Sequence, residues 1–403
     1  MRLKILVAGR FQHALNLKEI MTPFQLLIKP AGPDCNLQCT YCFYRRAKRL
    51  FHARSVHRMS KKVLEEMIRQ FLALRLPVSC FSWQGGEPTL CGLGFFEEVV
   101  KLQMKHGRGR QVVSNALQTN GLLLDKDWCQ FFNRYKFLIG LSLDGPQSLH
   151  DYYRIGDSKG SWEGVMQAAR LLSDYEAEFN ILAMVTRKSE NRARELFYWF
   201  VEHGFRYLQF IPCLERLPRG KGLASFSVTE GGYGDFLCSL FDTWWENRDQ
   251  NVSIRLFDTV LERLVYGRPT LCIFSPSCRG YLVVEHDGSV YPCDFFVRED
   301  TRLGNLMETP LEKLFLSMAF RDFGRKKGRL ANECQECQWL SFCWGGCQKD
   351  RVDSQGGPAA RTFFCRAYRQ FFSHSMSRLT SLAKKIQVGA CFRTESTAHR
   401  NDI

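Results

Sequence analysis

Gln25-Leu26-Leu27-Ile28-Lys29 is a short apolar run that leads through residues 30–34 into Cys35-Asn36-Leu37-Gln38-Cys39-Thr40-Tyr41-Cys42. The run reads as a β-strand, and the cysteine segment as the loop at its carboxyl end. Cys35, Cys39 and Cys42 are thus three thiols in one loop, spaced x3 and x2. Three is one short of a closed tetrahedral or cubane site. An open position is what a catalytic metal centre keeps.

Five further runs, 78–83, 111–118, 137–143, 178–185 and 207–211, read as strands. Between them, Val63, Met67 and Phe71 with Leu64, Ile68 and Leu72 form an apolar stripe at helical spacing. Residues 95–104, 125–135, 162–175 and 192–203 read as further helices. Strand then helix, six times, implies parallel pairing in a wound or barrel-like sheet. Ligands of such sheets gather at the carboxyl ends of the strands. Gln84-Gly85-Gly86-Glu87-Pro88 follows the second strand, Gln118-Thr119-Asn120-Gly121 the third, and Ser142-Leu143-Asp144-Gly145-Pro146 closes the fourth. One such segment is only a turn. With the cysteine loop, four in phase with six strands mark a site.

The 403 residues, 45% hydrophobic and 24% charged, exclude a fibrous, collagen-like or wholly disordered chain. The length suits two or three domains. Nothing resembles a secretion signal, and no run approaches the roughly 18 apolar residues of a membrane helix. A cytoplasmic protein with reduced thiols is expected, so clustered cysteines among the 17 read as metal ligands or catalytic groups rather than disulfides.

Eight of those cysteines come late. Cys272, Cys278 and Cys293 are spread over 22 residues, Cys334, Cys337, Cys343 and Cys347 run x2, x5 and x3, and Cys365 follows. Eight thiols make two complete four-thiolate sites, which iron–sulfur clusters and zinc both accept. Zinc in the Cys334 to Cys347 group, or in the first loop with His52 or His57 as fourth ligand, is the alternative. Cys80, Cys91, Cys129, Cys213, Cys238 and Cys391 sit singly and are given no role, most of them reading as small buried hydrophobes.

Helices over 229–247 and 256–266 join the strand–helix core to this second cysteine region. Residues 268–372 are turn-rich, with His286-Asp287-Gly288-Ser289 as a hairpin between 281–285 and 290–292. Ligated metal is expected to replace the hydrophobic core that this segment lacks. Residues 373–386 read as a terminal helix and 387–403 as a polar tail.

The cysteine loop, extended to Phe43-Tyr44, resembles the cluster motif of radical S-adenosylmethionine enzymes. With Ile28-Lys29-Pro30 before it and Gln84 to Thr89 after it, the segment is similar to anaerobic sulfatase maturases. So are Gln118 to Gly121, Ser142 to Pro146, His150-Asp151-Tyr152-Tyr153-Arg154 and Gln209-Phe210-Ile211-Pro212. The later half resembles their SPASM extension, through all eight cysteines and Cys347-Gln348-Lys349-Asp350-Arg351. The resemblance implies an α/β fold: a partial (β/α)6 barrel of radical SAM type over 21–250, then a small cysteine-rich α+β SPASM domain over 251–373. Residues 374–403 would be the terminal helix and tail. Residues 1–20 have no counterpart in the resemblance, and Met21 offers an alternative start.

The resemblance also implies roles. Cys35, Cys39 and Cys42 would hold a 4Fe–4S cluster whose fourth iron takes the amino and carboxylate groups of S-adenosylmethionine (AdoMet). Cys272, Cys278, Cys293 and Cys347 would hold one auxiliary 4Fe–4S cluster, and Cys334, Cys337, Cys343 and Cys365 a second, making three. Gly85 and Gly86 would let backbone approach the methionine moiety, Glu87 would accept from its ammonium, Arg154 would fork onto its carboxylate, and Ser142 would be a second carboxylate partner. Asp294 matches the family's base, and Tyr44 and Gln84 match positions lining the substrate pocket. Each has a plainer reading: turns for the glycines, solvated surface for Glu87 and Arg154, aromatic core for Tyr44, and a hairpin-end carboxylate for Asp294. Phe295-Phe296 after Asp294, and a short span over 214–226, depart from the family.

The implied activity is oxidation of a cysteine or serine in a sulfatase polypeptide to 3-oxoalanine (formylglycine) through a 5′-deoxyadenosyl radical. An electron donor such as a flavodoxin or ferredoxin would serve it. A thioether or carbon crosslink made in another peptide is the second enzymatic reading, and a zinc-stabilised binding protein the non-catalytic one. The +15 formal charge, with runs such as Arg45 to Arg49 and Arg325-Lys326-Lys327-Gly328-Arg329, raises nucleic acid as a partner. No RNA-binding module accompanies the runs, and the formal count omits thiolates that clusters would add.

Overall fold

Leu26 and Ile28 of β1 (Gln25–Lys29) are fully buried while Gln25 is exposed, the mark of a strand with one face against helices. The computed structural model describes residues 22–51, 56–156, 159–217, 222–352 and 360–398. β2 (Val78–Trp83), β3 (Val112–Thr119) and β4 (Leu138–Ser142) follow β1 in parallel, one beside the next. After a small hairpin of β5 (Ile155–Gly156) and β6 (Lys159–Gly160), β7 (Phe179–Val185), β8 (Tyr207–Pro212) and β9 (Ser253–Ile254) continue the parallel order. The alternating helices are α1 (Lys61–Ala73), α2 (Leu93–His106), α3 (Lys126–Tyr135), the short α4 (Gln147–Tyr153), α5 (Trp162–Asp174) and α6 (Ala193–Glu202). The stripe of α1 is wholly buried, and its first turn is capped by Ser60, which accepts from the Val63 amide at 3.3 Å. Asp125 caps α3 in the same way. All six strands foreseen from the sequence are present, displaced by at most one residue at either end.

What the sequence pattern did not reveal is the neighbour on the other side of β1. β10 (Tyr281–Glu285) pairs with it in parallel from Gln25↔Tyr281 to Lys29↔Glu285. β11 (Ser289–Tyr291) and β12 (Gly304–Asn305) then add antiparallel. One ten-stranded sheet therefore runs through both halves, in the order β12-β11-β10-β1-β2-β3-β4-β7-β8-β9.

The expectation that residues 268–372 lack a hydrophobic core is corrected. After α7 (Glu230–Glu246) and α8 (Arg255–Tyr266), the chain forms α9 (Leu311–Leu316) and α10 (Met318–Lys326), which bury Phe315 and Phe320. Phe315 stacks on Phe24, ring centroids 4.1 Å apart, so the extension shares the barrel's core. α11 (Asn332–Gln335), α12 (Leu340–Cys343) and the two-stranded β13 (Arg351–Val352) and β14 (Arg361–Thr362) complete it.

The terminal helix, α13 (Cys365–Ala398), is longer than the expected 373–386 at both ends. Its first turns are held by packing. Phe371 meets Phe257 of α8 at 5.5 Å and Phe241 of α7 at 6.1 Å, and a side chain on Gly234 of α7 would collide with Gln370. Residues 1–21, His52 and the end of the polar tail lie outside the described residues. No helix among the described residues is long and apolar enough to cross a membrane.

Candidate active site

The loop after β1 is sewn to its neighbours by backbone. The Gln38 amide donates to Ile155 O at 2.7 Å, and the Thr40 amide to Tyr153 O at 2.9 Å. Leu37, Cys39, Tyr41, Tyr153 and Cys213 pack as an apolar patch around it, with Cys35 and Cys42 against its edge. Cys35, Cys39 and Cys42 are free thiols close enough for their charges to interact. Burial pushes Cys35 up to about 12 and Cys39 to about 11, so the thiolates need a compensating cation. A thiolate-binding metal centre supplies one. Cys213, one of the singletons, is the small buried hydrophobe expected of it, its thiol likewise pushed up to about 12 by burial.

Gly86 has a reason of its own. A Cβ there would lie 1.8 Å from the carbonyl oxygen of Asp34, because the two loops cross in contact: Gly86 N donates to Gly32 O and Glu87 N to Asp34 O. Gly85 sits at φ +138°, and its Cβ would meet Gly32 O at 3.1 Å. The glycines thus let the β2 loop lie on the cysteine loop, whatever a ligand requires besides.

Glu87 is 1% exposed, which excludes the solvated-surface reading. Its Oε1 accepts from the Thr89 amide and hydroxyl and from the Thr119 hydroxyl, and its Oε2 from the Asn120 amide at 2.8 Å. It ties the loops after β2 and β3 together. Burial raises its pKa, and those four donors pull the other way.

Arg154 is also buried, and its fork is engaged. Nε and Nη2 grip the two oxygens of Asp144 at 3.0 and 3.1 Å. Asp144 further accepts from the Met184 amide at 2.9 Å and from the Tyr41 hydroxyl. Burial alone would raise Asp144, yet Arg154, His150 and Tyr41 outweigh it and hold the carboxyl below its ordinary range. In this arrangement Arg154 braces the wall of the site through Asp144. Ser142, buried at the end of β4, stands two residues before this carboxylate. Asp144 lies in the Ser142 to Pro146 segment, where the sequence alone gives it no role; a carboxylate two residues past a strand end, ten residues before an arginine, is the signal it offers.

A second group of side chains gathers where β2 meets the extension. Gln84 donates to Asp294 Oδ2 at 3.2 Å, and the Tyr281 hydroxyl to Oδ1 at 3.2 Å. Asp294 is therefore tied to side chains, not a hairpin end bonded to backbone amides. Tyr44 is 3% exposed and donates its hydroxyl to Glu285, and it packs in the core beside this group. Lys29, missed by the sequence reading, lies 1% exposed with its ammonium 4.5 Å over the Tyr44 ring. Burial lowers its pKa, against the pull of Asp294, Glu285, Cys293 and Cys42. A lysine ending a strand of buried neighbours carried no pattern by which to find it.

The eight late thiols divide in space. Cys347 lies within electrostatic reach of Cys272, Cys278 and Cys293. Cys334, Cys337, Cys343 and Cys365 interact with one another. Among the described residues no three His, Cys, Asp or Glu side chains close on a point that would hold a single metal ion. His57 has its Nδ1 on Asp34 at 2.8 Å. Three neighbouring thiols, one buried and two half-buried, and two sets of four fit iron–sulfur clusters in their donor chemistry.

Comparisons with known proteins agree with this geometry. The Radical SAM superfamily matches residues 30–198, and an iron-sulfur cluster-binding domain, SPASM, matches residues 272–338. A cysteine-type anaerobic sulfatase-maturating enzyme of Clostridium perfringens is 39% identical over 371 residues, covering 91% of this chain and all of that protein. A serine-type anaerobic sulfatase-maturating enzyme of Bacteroides thetaiotaomicron is 34% identical over 382 residues, covering 90% and 92%. The solved structure of native anSMEcpe with bound AdoMet and Cp18Cys peptide superimposes with a TM-score of 0.85 at 38% identity, covering 91% of this chain and all of that one.

Proposed function

This chain belongs to the anaerobic sulfatase-maturating enzymes, radical AdoMet proteins with a SPASM extension, and we propose that it oxidises a cysteine or serine of a sulfatase polypeptide to formylglycine. The observation that carries the reading is the meeting of Gln84 and Asp294 at 3.2 Å, where the β2 loop meets the extension and the cysteine loop lies against that same β2 loop. When bound and reduced, the first cluster with AdoMet supplies a 5′-deoxyadenosyl radical that removes hydrogen from carbon.

Cys35, Cys39 and Cys42 would hold that cluster by three irons, leaving the fourth to AdoMet. Glu87 fixes the loops that form the AdoMet cradle and keeps a lone pair of Oε2 for the ammonium. Gly85 and Gly86 set those loops against the cysteine loop, and Asp144 with Arg154 stiffens the wall that Ser142 completes. Asp294 accepts the proton of the substrate thiol or hydroxyl, held in position by Gln84 and Tyr281. Loss of the β-hydrogen atom, that proton and one electron turns a cysteine into a thioaldehyde, and water then gives the aldehyde and hydrogen sulfide. A serine reaches the aldehyde directly. Cys272, Cys278, Cys293 and Cys347, and Cys334, Cys337, Cys343 and Cys365, would hold two auxiliary clusters able to take the electron. An external flavodoxin or ferredoxin is the reductant class proposed.

The test is incubation of reduced, anaerobically reconstituted enzyme with AdoMet and a Cys-x-Pro-x-Arg or Ser-x-Pro-x-Arg peptide. Mass spectrometry is expected to find the aldehyde peptide. Deoxyadenosine without peptide oxidation would point to another peptide and a crosslink.

A further inference from the structure

Arg325-Lys326-Lys327-Gly328-Arg329 reads in sequence as a solvated basic face. Its outer residues are exposed, as such a run should be. Lys327 is the exception at 1% exposure, turned inward at the end of α10. Lysine is almost never buried to this degree without a partner that repays its desolvation. Here the ammonium donates to the carbonyl oxygens of Cys272 at 2.6 Å and Ile273 at 2.9 Å, the single helical turn that begins the extension's cysteines. Two carbonyls satisfy hydrogen bonds but carry no net charge. Among the described residues no carboxylate lies within ion-pair distance of it. Burial lowers its pKa, and the groups that pull the other way are the thiolates of Cys278, Cys272 and Cys347. They are three of the four assigned to one auxiliary cluster. Arg351 approaches the same region differently: its guanidinium donates to carbonyls of Gly345, Arg329 and Lys327, and it lies within reach of Cys278 and Cys347 from one set and Cys334 and Cys343 from the other.

We propose that Lys327 is the fixed counter-charge of the Cys272, Cys278, Cys293 and Cys347 site, a positioning residue that raises the reduction potential there above that of the Cys334, Cys337, Cys343 and Cys365 site. It anchors the Cys272 turn through two carbonyls and sets its positive charge beside the Cys278, Cys272 and Cys347 thiolates. In a buried setting of low dielectric such a charge favours the reduced, more negative state of a cluster. Lys327 faces one thiol set where Arg351 faces both, so its effect is selective. The site nearer Asp294 thereby becomes the better immediate electron acceptor.

This inference rests on the assignment of the eight thiols to two clusters. The experiment uses full-length protein carrying Cys35→Ala, Cys39→Ala and Cys42→Ala, reconstituted with iron and sulfide, so that only auxiliary clusters contribute. Iron content and potentiometric titration followed by electron paramagnetic resonance are read with Lys327, Lys327→Gln and Lys327→Arg. Lys327→Gln keeps a donor for the carbonyls and removes the charge. It is expected to lower the reduction equilibrium constant of one cluster about tenfold, about 59 mV for one electron, and to leave the other in place. Lys327→Arg is expected to stay near the parent. Loss of one cluster's iron in Lys327→Gln but not in Lys327→Arg reads the same need for charge. Unmoved potentials with full iron in Lys327→Gln, equal shifts in both variants, or loss of iron in both overturn the proposal. Absence of iron from the parent would instead overturn the cluster assignment itself.

Discussion

The amide of Gln84, at the end of a barrel strand, donates to the carboxylate of Asp294, which directly follows a cysteine of the extension, at 3.2 Å. The two are 210 residues apart in the chain. Neither half of the protein therefore contains the proposed oxidising site by itself.

Asp294→Asn preserves the shape of this contact and removes the proposed base. Formylglycine formation is expected to fall at least about 10²-fold, the usual worth of a general base. Deoxyadenosine should still appear when AdoMet and reductant are supplied. Full peptide oxidation by the variant would remove Asp294 from the role.

Gly86→Ala and Gly94→Ala should move stability in opposite directions. The first drives a methyl group into the Asp34 carbonyl, with no flexible side chain to give way. Loss of about 1–3 kcal/mol or more, with iron lost from the first cluster, is expected. In the second, nothing lies within 4 Å of the new methyl in the first turn of α2, and about 0.5–1 kcal/mol should be gained. Melting temperature and iron content check both.

Glu87→Gln keeps the volume but puts an amide nitrogen where an acceptor is needed. At least one of the Thr89, Thr119 and Asn120 donors then loses its partner in a buried place, costing about 1–3 kcal/mol. AdoMet affinity, measured by equilibrium dialysis on the reconstituted enzyme, should fall with the melting temperature. An unchanged affinity in a destabilised variant would confine Glu87 to bracing.

Asp258 in the first turn of α8 gives a pH signature away from the clusters. Burial pushes its carboxyl up to about 6 from 3.8, although the Ser253 hydroxyl donates to it. The folded state thus holds the proton more tightly than the unfolded one. Its contribution to stability is full below about pH 4 and is lost as pH rises through about 6. Asp258→Asn should raise the melting temperature near neutral pH by about 2–4 °C, and the difference from wild type should shrink to nothing by about pH 4.

Much of this was readable in advance because period-2 and period-3.6 patterns are local. β1 and β2 were delimited to the residue, and the spacing of Cys35, Cys39 and Cys42 announced an open site. Pairing between distant strands leaves no such trace. Tyr281 to Glu285 is apolar enough for any buried strand, and nothing in it names β1 as partner. The start of α13 was missed because Ala367, Tyr368, Phe371 and Phe372 are buried on more than one side, which blurs the helical stripe. Side-chain roles were least legible. Arg154 and Glu87 stand out as AdoMet-contacting residues only through a resemblance, and the structure shows their hydrogen bonds spent mainly within the protein.

The ladder between β1 and β10 has a consequence for how the protein is made. β1 leaves the ribosome first, yet its partner on one flank, Leu282 opposite Leu26, is translated only after the whole barrel has emerged. Until then that flank is an unpaired edge, the kind of surface that recruits foreign strands. A gene divided between residues 266 and 272 would yield two polypeptides, each with a bare parallel edge. Both are expected to aggregate when expressed apart and to recover solubility when expressed together.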